Sequence, residues 1–85
     1  MIYEIRYKRK AIKALAQINE PYFSSILRAI DDLALNPKPF GYKKLKGRDG
    51  YRIRVGTYRI VYDILRSNLI IEIIHVDVRG RIYDN

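Results

Sequence analysis

The stretch that decides the fold is YRIRVGTYRIVY, residues 51–62. Polar and apolar residues alternate on both sides of a central Gly-Thr pair, which is typical of two half-buried strands joined by a two-residue type II′ turn. That turn places Arg54 opposite Arg59 and Arg52 opposite Val61, so the three arginines share one sheet face, while the tyrosine and aliphatic side chains form the other. Like charges directly across a strand pair destabilise a sheet. The pattern therefore predicts that this face binds a polyanion.

Length and composition restrict the class of protein. With 85 residues, of which 48% are hydrophobic, the chain is expected to form one folded domain over residues 1–85. The net charge of +8 favours phosphate-rich or acidic partners. The absence of cysteine and the single histidine argue against a disulfide and against a metal site, and no cofactor is expected. No apolar signal segment or run of membrane-spanning length is present, which predicts a cytoplasmic protein without membrane contact.

Periodicity along the rest of the chain predicts an α+β fold. Two helices with a short link should pack as a hairpin on one face of a small, mostly antiparallel sheet, in the order β-α-α-β-β-β. A brief extended piece is also expected around residues 44–46. The predicted elements are a strand at 2–7, helices at 8–18 and from Pro21 to about Leu35, the 51–62 hairpin, and a strand at 69–78 that is apolar on both faces and therefore central.

The register of the last strand stays open in the sequence. A two-residue turn before it would place Val76 opposite Arg59, whereas a three-residue turn would place His75 there. Only the three-residue turn brings Asp77 and Arg79 onto the arginine face. The apolar pattern does not decide between the two turns.

Further cations extend the expected anion site. The loop at residues 43–47 contributes Lys43, Lys44 and Lys46, which either steer phosphate groups or form an ordinary soluble surface. Tyr83 follows two arginines near the end of the chain, and nearby cations should lower the pKa of its hydroxyl, which would suit it to act as a general base. The lone His75, inside an apolar strand, is more typical of a core or edge residue.

Three segments together carry a family resemblance. Residues 45–47 (LKG), 51–62 and 76–83 (VDVRGRIY) resemble the RelE/ParE toxin superfamily of toxin–antitoxin systems, in its RelE-like branch. The likeness covers nearly the whole chain. It implies a type II toxin that enters the ribosomal A site and cleaves mRNA without a metal, because the 2′-hydroxyl of the RNA attacks the adjacent phosphate. It also implies a cognate antitoxin, RelB-like and acidic or built around an amphipathic helix.

The resemblance also implies roles for individual residues. Arg59 matches the transition-state arginine, Arg54 a cation at the scissile phosphate, Arg79 the second catalytic arginine, and Tyr83 the tyrosine that stacks on or deprotonates the substrate. Arg81 could exchange roles with Arg79. The match at Arg79 also implies the three-residue turn, or a bulge, for the last strand. The matched or neighbouring cations expected to contact the RNA backbone are Lys43, Lys44, Lys46, Arg52 and Arg81.

One departure concerns the general base. The positions of Arg52 and Arg54 are often lysine in this branch, and arginine stays protonated at any working pH, so it can bind charge but cannot remove a proton. Proton removal then falls to Tyr83 or to Lys46. Two other functions stay open at this point: a ParE-like inhibitor of DNA gyrase, and a non-catalytic RNA-binding module.

Overall fold

A computed structural model describes residues 2–78 and shows two helices packed on one face of a five-stranded mixed sheet. The α+β prediction is confirmed, and the extended piece expected before the hairpin is a short strand, β2 (Lys43–Lys44). Among the described residues, no helix is long and apolar enough to cross a membrane. The elements are β1 (Glu4–Tyr7), α1 (Arg9–Leu15), α2 (Tyr22–Leu33), β2 (Lys43–Lys44), β3 (Tyr51–Val55), β4 (Tyr58–Leu65), a 3₁₀ turn (Arg66–Asn68) and β5 (Ile70–Val78).

The hairpin of β3 and β4 has the predicted register. Arg54 pairs with Arg59 and Arg52 with Val61, so the three arginines do lie on one face. Gly56 has a φ of 60°, and Thr57 does not have a positive φ, which agrees with the type II′ turn that Gly-Thr predicts.

The strand order is β1-β5-β4-β3-β2, so β5 is the central strand, as its apolar sequence predicts. It pairs in parallel with β1 and antiparallel with β4. Four residues of β5 are buried, which agrees with its largely apolar sequence: Ile70, Ile71, Ile73 and Val76. Within residues 2–78, the outer edge of β3 pairs only with the two residues of β2, since Lys43 and Lys44 pair with Arg52 and Tyr51.

A β-bulge settles the register of β5. Neither turn alone gives this register, and a bulge was the alternative to the three-residue turn that the match at Arg79 implied. Near the loop, Leu65 pairs with Ile70 and Tyr62 with Ile73, which is the register of a two-residue turn even though four residues form the connection. Ile74 is then an extra residue, because Val61 pairs with His75. Beyond the bulge, Asp77 lies opposite Arg59. An inserted residue of this kind reverses the faces of all side chains that follow it.

The core lies between the helices and the sheet. Ile26, Ile30 and Leu33 of α2 are fully buried at helical spacing, and they pack with sheet residues that include Tyr62 and Ile73. The stripe that predicted this helix is therefore its core face.

The helix and strand ends differ from the predicted bounds by a few residues. α1 ends at Leu15 rather than Ile18, because the amides of Gln17 and Ile18 bond three residues back and tighten the chain into turns. α2 likewise ends at Leu33, since the amide of Leu35 bonds to the carbonyl of Asp32. The extended piece before the hairpin is Lys43–Lys44, not residues 44–46.

Candidate anion-binding face

The sheet face turned away from the helices is the candidate site, and we call it the cationic face. It carries Arg54 and Arg59 as directly paired neighbours, with Arg52 and Lys43 as a second cross-strand pair beside them. Two-residue periodicity of the strands is what places these four cations on the same side. The structure therefore groups four of the cations that the sequence singled out.

Arg59 is held by an acidic partner, Asp77, whose position opposite it the sequence left undecided. Its Nη2 donates a hydrogen bond to Oδ2 of Asp77 at 3.2 Å, and the two side chains are only 12% and 14% exposed. A charged hydrogen bond in such a site is stronger than one in water and fixes the plane of the guanidinium. Only the bulge at Ile74 brings the carboxylate to this position, so strand alternation alone could not have found it.

His75 completes the cluster around Asp77. Its Nε2 lies 3.6 Å from Oδ2 of Asp77, and burial lowers the pKa of the imidazole, with contributions from Lys10 and Arg59 that outweigh the opposing effect of Asp77. Nδ1 of His75 and Oδ1 of Asp77 are buried and have no hydrogen-bond partner among residues 2–78. Burial and the neighbouring cations thus disfavour the charged form of the imidazole, although a carboxylate lies beside it.

Arg52 differs from the expected exposed RNA contact. It is only 6% exposed, and Val61 opposite it is 7% exposed, so this part of the cationic face is not a plain solvated surface. Arg52 instead lines a cavity of about 450 Å³ at the outer edge of β3, together with Lys43 and Arg54. Its charge contributes to the field of the cavity more than to a surface contact.

The structure separates the lysines of the preceding loop. Lys43 pairs with Arg52 and shares the cationic face, but Lys44 pairs with Tyr51 and lies on the opposite side, with its ammonium 5.2 Å from the centre of the Tyr51 ring. That distance is typical of a cation–π contact. Lys46 is exposed in the loop between β2 and β3. Lys44 is therefore not brought to the anion site.

Tyr62 anchors the loop that leads to this edge of the sheet. Its hydroxyl donates a hydrogen bond to the carbonyl oxygen of Pro37 at 2.6 Å, and its side chain is fully buried. Burial raises the pKa of this hydroxyl, and neighbouring Tyr42 and Tyr51 add to the shift. A phenol in that state supports the structure and is not a general base.

The remaining candidates, Arg79, Arg81 and Tyr83, lie outside the described residues, and their roles stay predictions. Within residues 2–78, no group of three His, Asp or Glu side chains is arranged to hold a metal ion.

Comparison with known proteins agrees with this fold. The sequence profile described as the ParE toxin of type II toxin–antitoxin systems matches residues 5–83. The chain belongs to this toxin family. Within the RelE/ParE superfamily it is RelE-like, since RelE1 from Methanocaldococcus jannaschii is 30% identical over 100% of this chain and 99% of its own length.

Solved structures place the toxin in the same group. The archaeal RelE–RelB complex from Pyrococcus horikoshii contains a chain with a TM-score of 0.83 and 31% identity, which covers 96% of this toxin and 100% of that chain. The RelBE2 toxin–antitoxin complex from Mycobacterium tuberculosis gives a TM-score of 0.79 at 26% identity, with 93% and 100% covered. Isolated RelE from E. coli, at 20% identity and a TM-score of 0.80 over 94% and 87%, shows the shared fold.

Proposed function

We propose that this RelE-like toxin is a ribosome-dependent mRNA endonuclease that acts in the cytoplasm. The observation that carries the proposal is the pair of directly opposed arginines, Arg54 and Arg59, on a face where Asp77 fixes one of them in a partly buried position. A solvated sheet face has no need to orient a guanidinium in this way. A site that binds the changing charge of a phosphate does.

The chemistry follows from what the guanidinium groups can bind. Attack of a ribose 2′-hydroxyl on the adjacent phosphate gathers negative charge on the non-bridging and leaving oxygens, and paired arginines offer several N–H donors to them. Each preorganised donor of this kind is worth about 3–4 kcal/mol of transition-state stabilisation in known cases. Arg59 would bind the transition state, and Arg54 would bind the scissile phosphate.

Lys43 and Lys46 would steer the RNA backbone toward these arginines. The buried Arg52 would add to the positive electrostatic potential of the same face. Because arginine does not lose its proton at working pH, the base that accepts the proton of the 2′-hydroxyl would be Tyr83 or Lys46. Arg79, or Arg81 in its place, would supply the second catalytic arginine. Arg54 is exposed on the strand pair, so the ribosome would align the RNA linkage against it.

We further propose a RelB-like antitoxin as the cognate partner. The structures from P. horikoshii and M. tuberculosis are toxin–antitoxin complexes, and an acidic or amphipathic antitoxin would complement the net charge of +8. Covering the cationic face would block access of RNA to Arg54 and Arg59.

Mapping the 5′ ends of an mRNA translated in a purified system tests the proposal. We expect cuts at defined codon positions that require both the ribosome and Arg59. Arg28→Ala is the matched control, because Arg28 is an exposed arginine on α2, an element of the opposite face. Intact mRNA with tight, salt-sensitive RNA binding would instead indicate the non-catalytic module. If the mRNA stays intact and the toxin instead abolishes DNA supercoiling by gyrase in a separate assay, the protein is the gyrase inhibitor.

A further inference from the structure

Phe40 is the most exposed large hydrophobic residue in the described part of the toxin, with a relative exposure of 107%. A single exposed hydrophobic residue is ordinary on a protein surface. Phe40 is unusual because a complete aromatic ring projects beside cations, next to a cavity that it helps to line. Its ring contributes nothing to the hydrophobic core.

The backbone that carries Phe40 is fixed on both sides. The Tyr62 hydroxyl holds the carbonyl of Pro37, and the amide of Tyr42 donates to the carbonyl of Pro39 at 3.0 Å to close a turn around Phe40. Gly41 has a φ of 92°, a conformation that glycine adopts without strain. The ring is therefore presented by an ordered turn, which reduces the entropy that a ligand would have to overcome.

The cavity beside Phe40 has the size and lining of a site for one nucleotide. Its volume is about 450 Å³, within the range of small-ligand sites. Ala29 and Ile53 give it an apolar wall, Lys43 and Arg54 give it cations, and Asp32 places one carboxylate at the side of α2. Because Lys43 pairs antiparallel with Arg52, the chain before it runs back along β3, which brings Phe40 beside Arg54.

We propose that Phe40 is a stacking platform for one unpaired base of single-stranded RNA, with the phosphate of that nucleotide bound by Lys43 and Arg54. This inference rests on the proposed function, since Arg54 pairs with Arg59 and an RNA strand across that pair reaches the edge of β3. Bases stack on aromatic rings whatever their sequence, so the subsite would add affinity without choosing a codon. An acidic protein segment would match Lys43 but would leave the flat ring without a planar partner.

The test uses the absence of tryptophan from this sequence. Phe40→Trp introduces a single tryptophan, which can be excited selectively over the eight tyrosines. Titration with a 2′-O-methyl oligonucleotide, which cannot undergo 2′-hydroxyl attack, should quench the tryptophan emission. A set of oligonucleotides with one abasic position moved along the chain should show one position at which quenching is lost. Equal quenching by every abasic oligonucleotide would overturn the proposal.

Substitutions that separate aromatic stacking from apolar contact complete the test. Phe40→Ala should weaken oligonucleotide binding about tenfold, Phe40→Tyr should retain it, and Phe40→Leu should not restore it. Leu35→Ala is the control, because Leu35 is 69% exposed and does not line the cavity. Full binding by Phe40→Leu, or an Ala variant that loses only antitoxin affinity, would contradict a base-stacking role.

The proposed endonuclease activity is tested separately from this subsite. In the ribosome assay, Phe40→Ala should raise the KM for the RNA and leave kcat nearly unchanged, since Phe40 contacts a base and not the reacting atoms. Base-dependent quenching with uncut mRNA would retain the subsite and refute the endonuclease. If the mRNA is cut but the tryptophan fluorescence does not depend on the base, the endonuclease is retained and the subsite is refuted.

Discussion

Replacing Arg59 by alanine should destabilise the toxin as well as inactivate it, because the substitution leaves the carboxylate of Asp77 without its arginine. The two side chains are 12% and 14% exposed, and Nη2 and Oδ2 are 3.2 Å apart. Removing one partner of a fully buried pair costs 3–5 kcal/mol, and the residual exposure of this pair reduces the expected loss to about 2 kcal/mol. For a domain of this size, that loss lowers the Tm by about 10 °C. The orientation of Arg59 away from the core, taken alone, predicts no such loss.

A double-mutant cycle separates the stability effect from the catalytic one. Asp77→Asn removes the stranded charge while it keeps the shape of the side chain, so Arg59→Ala/Asp77→Asn should recover most of the stability that Arg59→Ala loses. The matched control is the pair of Arg6 and Glu4, which is similarly close at 3.0 Å but has side chains 59% and 61% exposed. Arg6→Ala should change the free energy of unfolding by less than about 0.5 kcal/mol.

The assay is urea denaturation of each variant, followed by the ribosome-dependent cleavage measurement on those that are folded. The double mutant should be folded and inactive. Asp77→Asn alone should cleave about tenfold more slowly, because Arg59 is present but less firmly oriented. An Arg59→Ala variant as stable as the wild type would refute the structural reasoning. A folded double mutant that cleaves at the wild-type rate would remove Arg59 from the mechanism.

Three further substitutions test other parts of the structure. The pKa of His75 is lower in the folded state, so the free energy of unfolding should fall as the pH drops below the unfolded pKa of about 6.5. Between pH 7.5 and 5, the urea midpoint of the wild type should therefore fall more than that of His75→Gln. A wild-type midpoint that rises relative to that of the variant would contradict this. Tyr62→Phe removes the bond to Pro37 and should cost about 1 kcal/mol in urea denaturation, whereas an unchanged midpoint would show that the bond contributes nothing. Gly50→Ala should lower the free energy of unfolding by about 2 kcal/mol, since Gly50 has a φ of 120° and a Cβ there would lie 3.1 Å from Leu45 Cδ1. A variant as stable as the wild type in urea would show that the loop relaxes freely.

The hairpin was predictable because its information is local. Alternation in residues 51–62 defines two faces, and a Gly-Thr turn fixes which residues oppose each other, so the pairing of Arg54 with Arg59 follows from sequence alone. The helices were predictable for a related reason, since a 3.6-residue period is visible within each segment. The ends of the helices were not predictable, because the last turns depend on which carbonyl oxygen accepts the hydrogen bond of each terminal amide.

The composition of the site was less predictable because it depends on pairings between distant segments. Lys43 and Lys44 are adjacent and chemically alike, and only the pairing of Lys43 with Arg52 shows which of them shares the cationic face. The burial of Arg52 likewise depends on neighbours outside its own strand. Phe40 lies in a segment without periodicity, where an aromatic residue predicts neither core nor surface.

The bulge at Ile74 connects the core to the candidate site. Without the extra residue, the register near the loop would continue and bring Val76 opposite Arg59, while His75 and Asp77 would point toward the helices. With it, β5 keeps Ile73 and Val76 in the core on either side of the bulge. The same inserted residue brings the carboxylate of Asp77 to Arg59 and keeps the imidazole of His75 out of the apolar core. The orientation of the candidate transition-state arginine therefore depends on a feature of strand pairing, and a fold-level match alone cannot supply it.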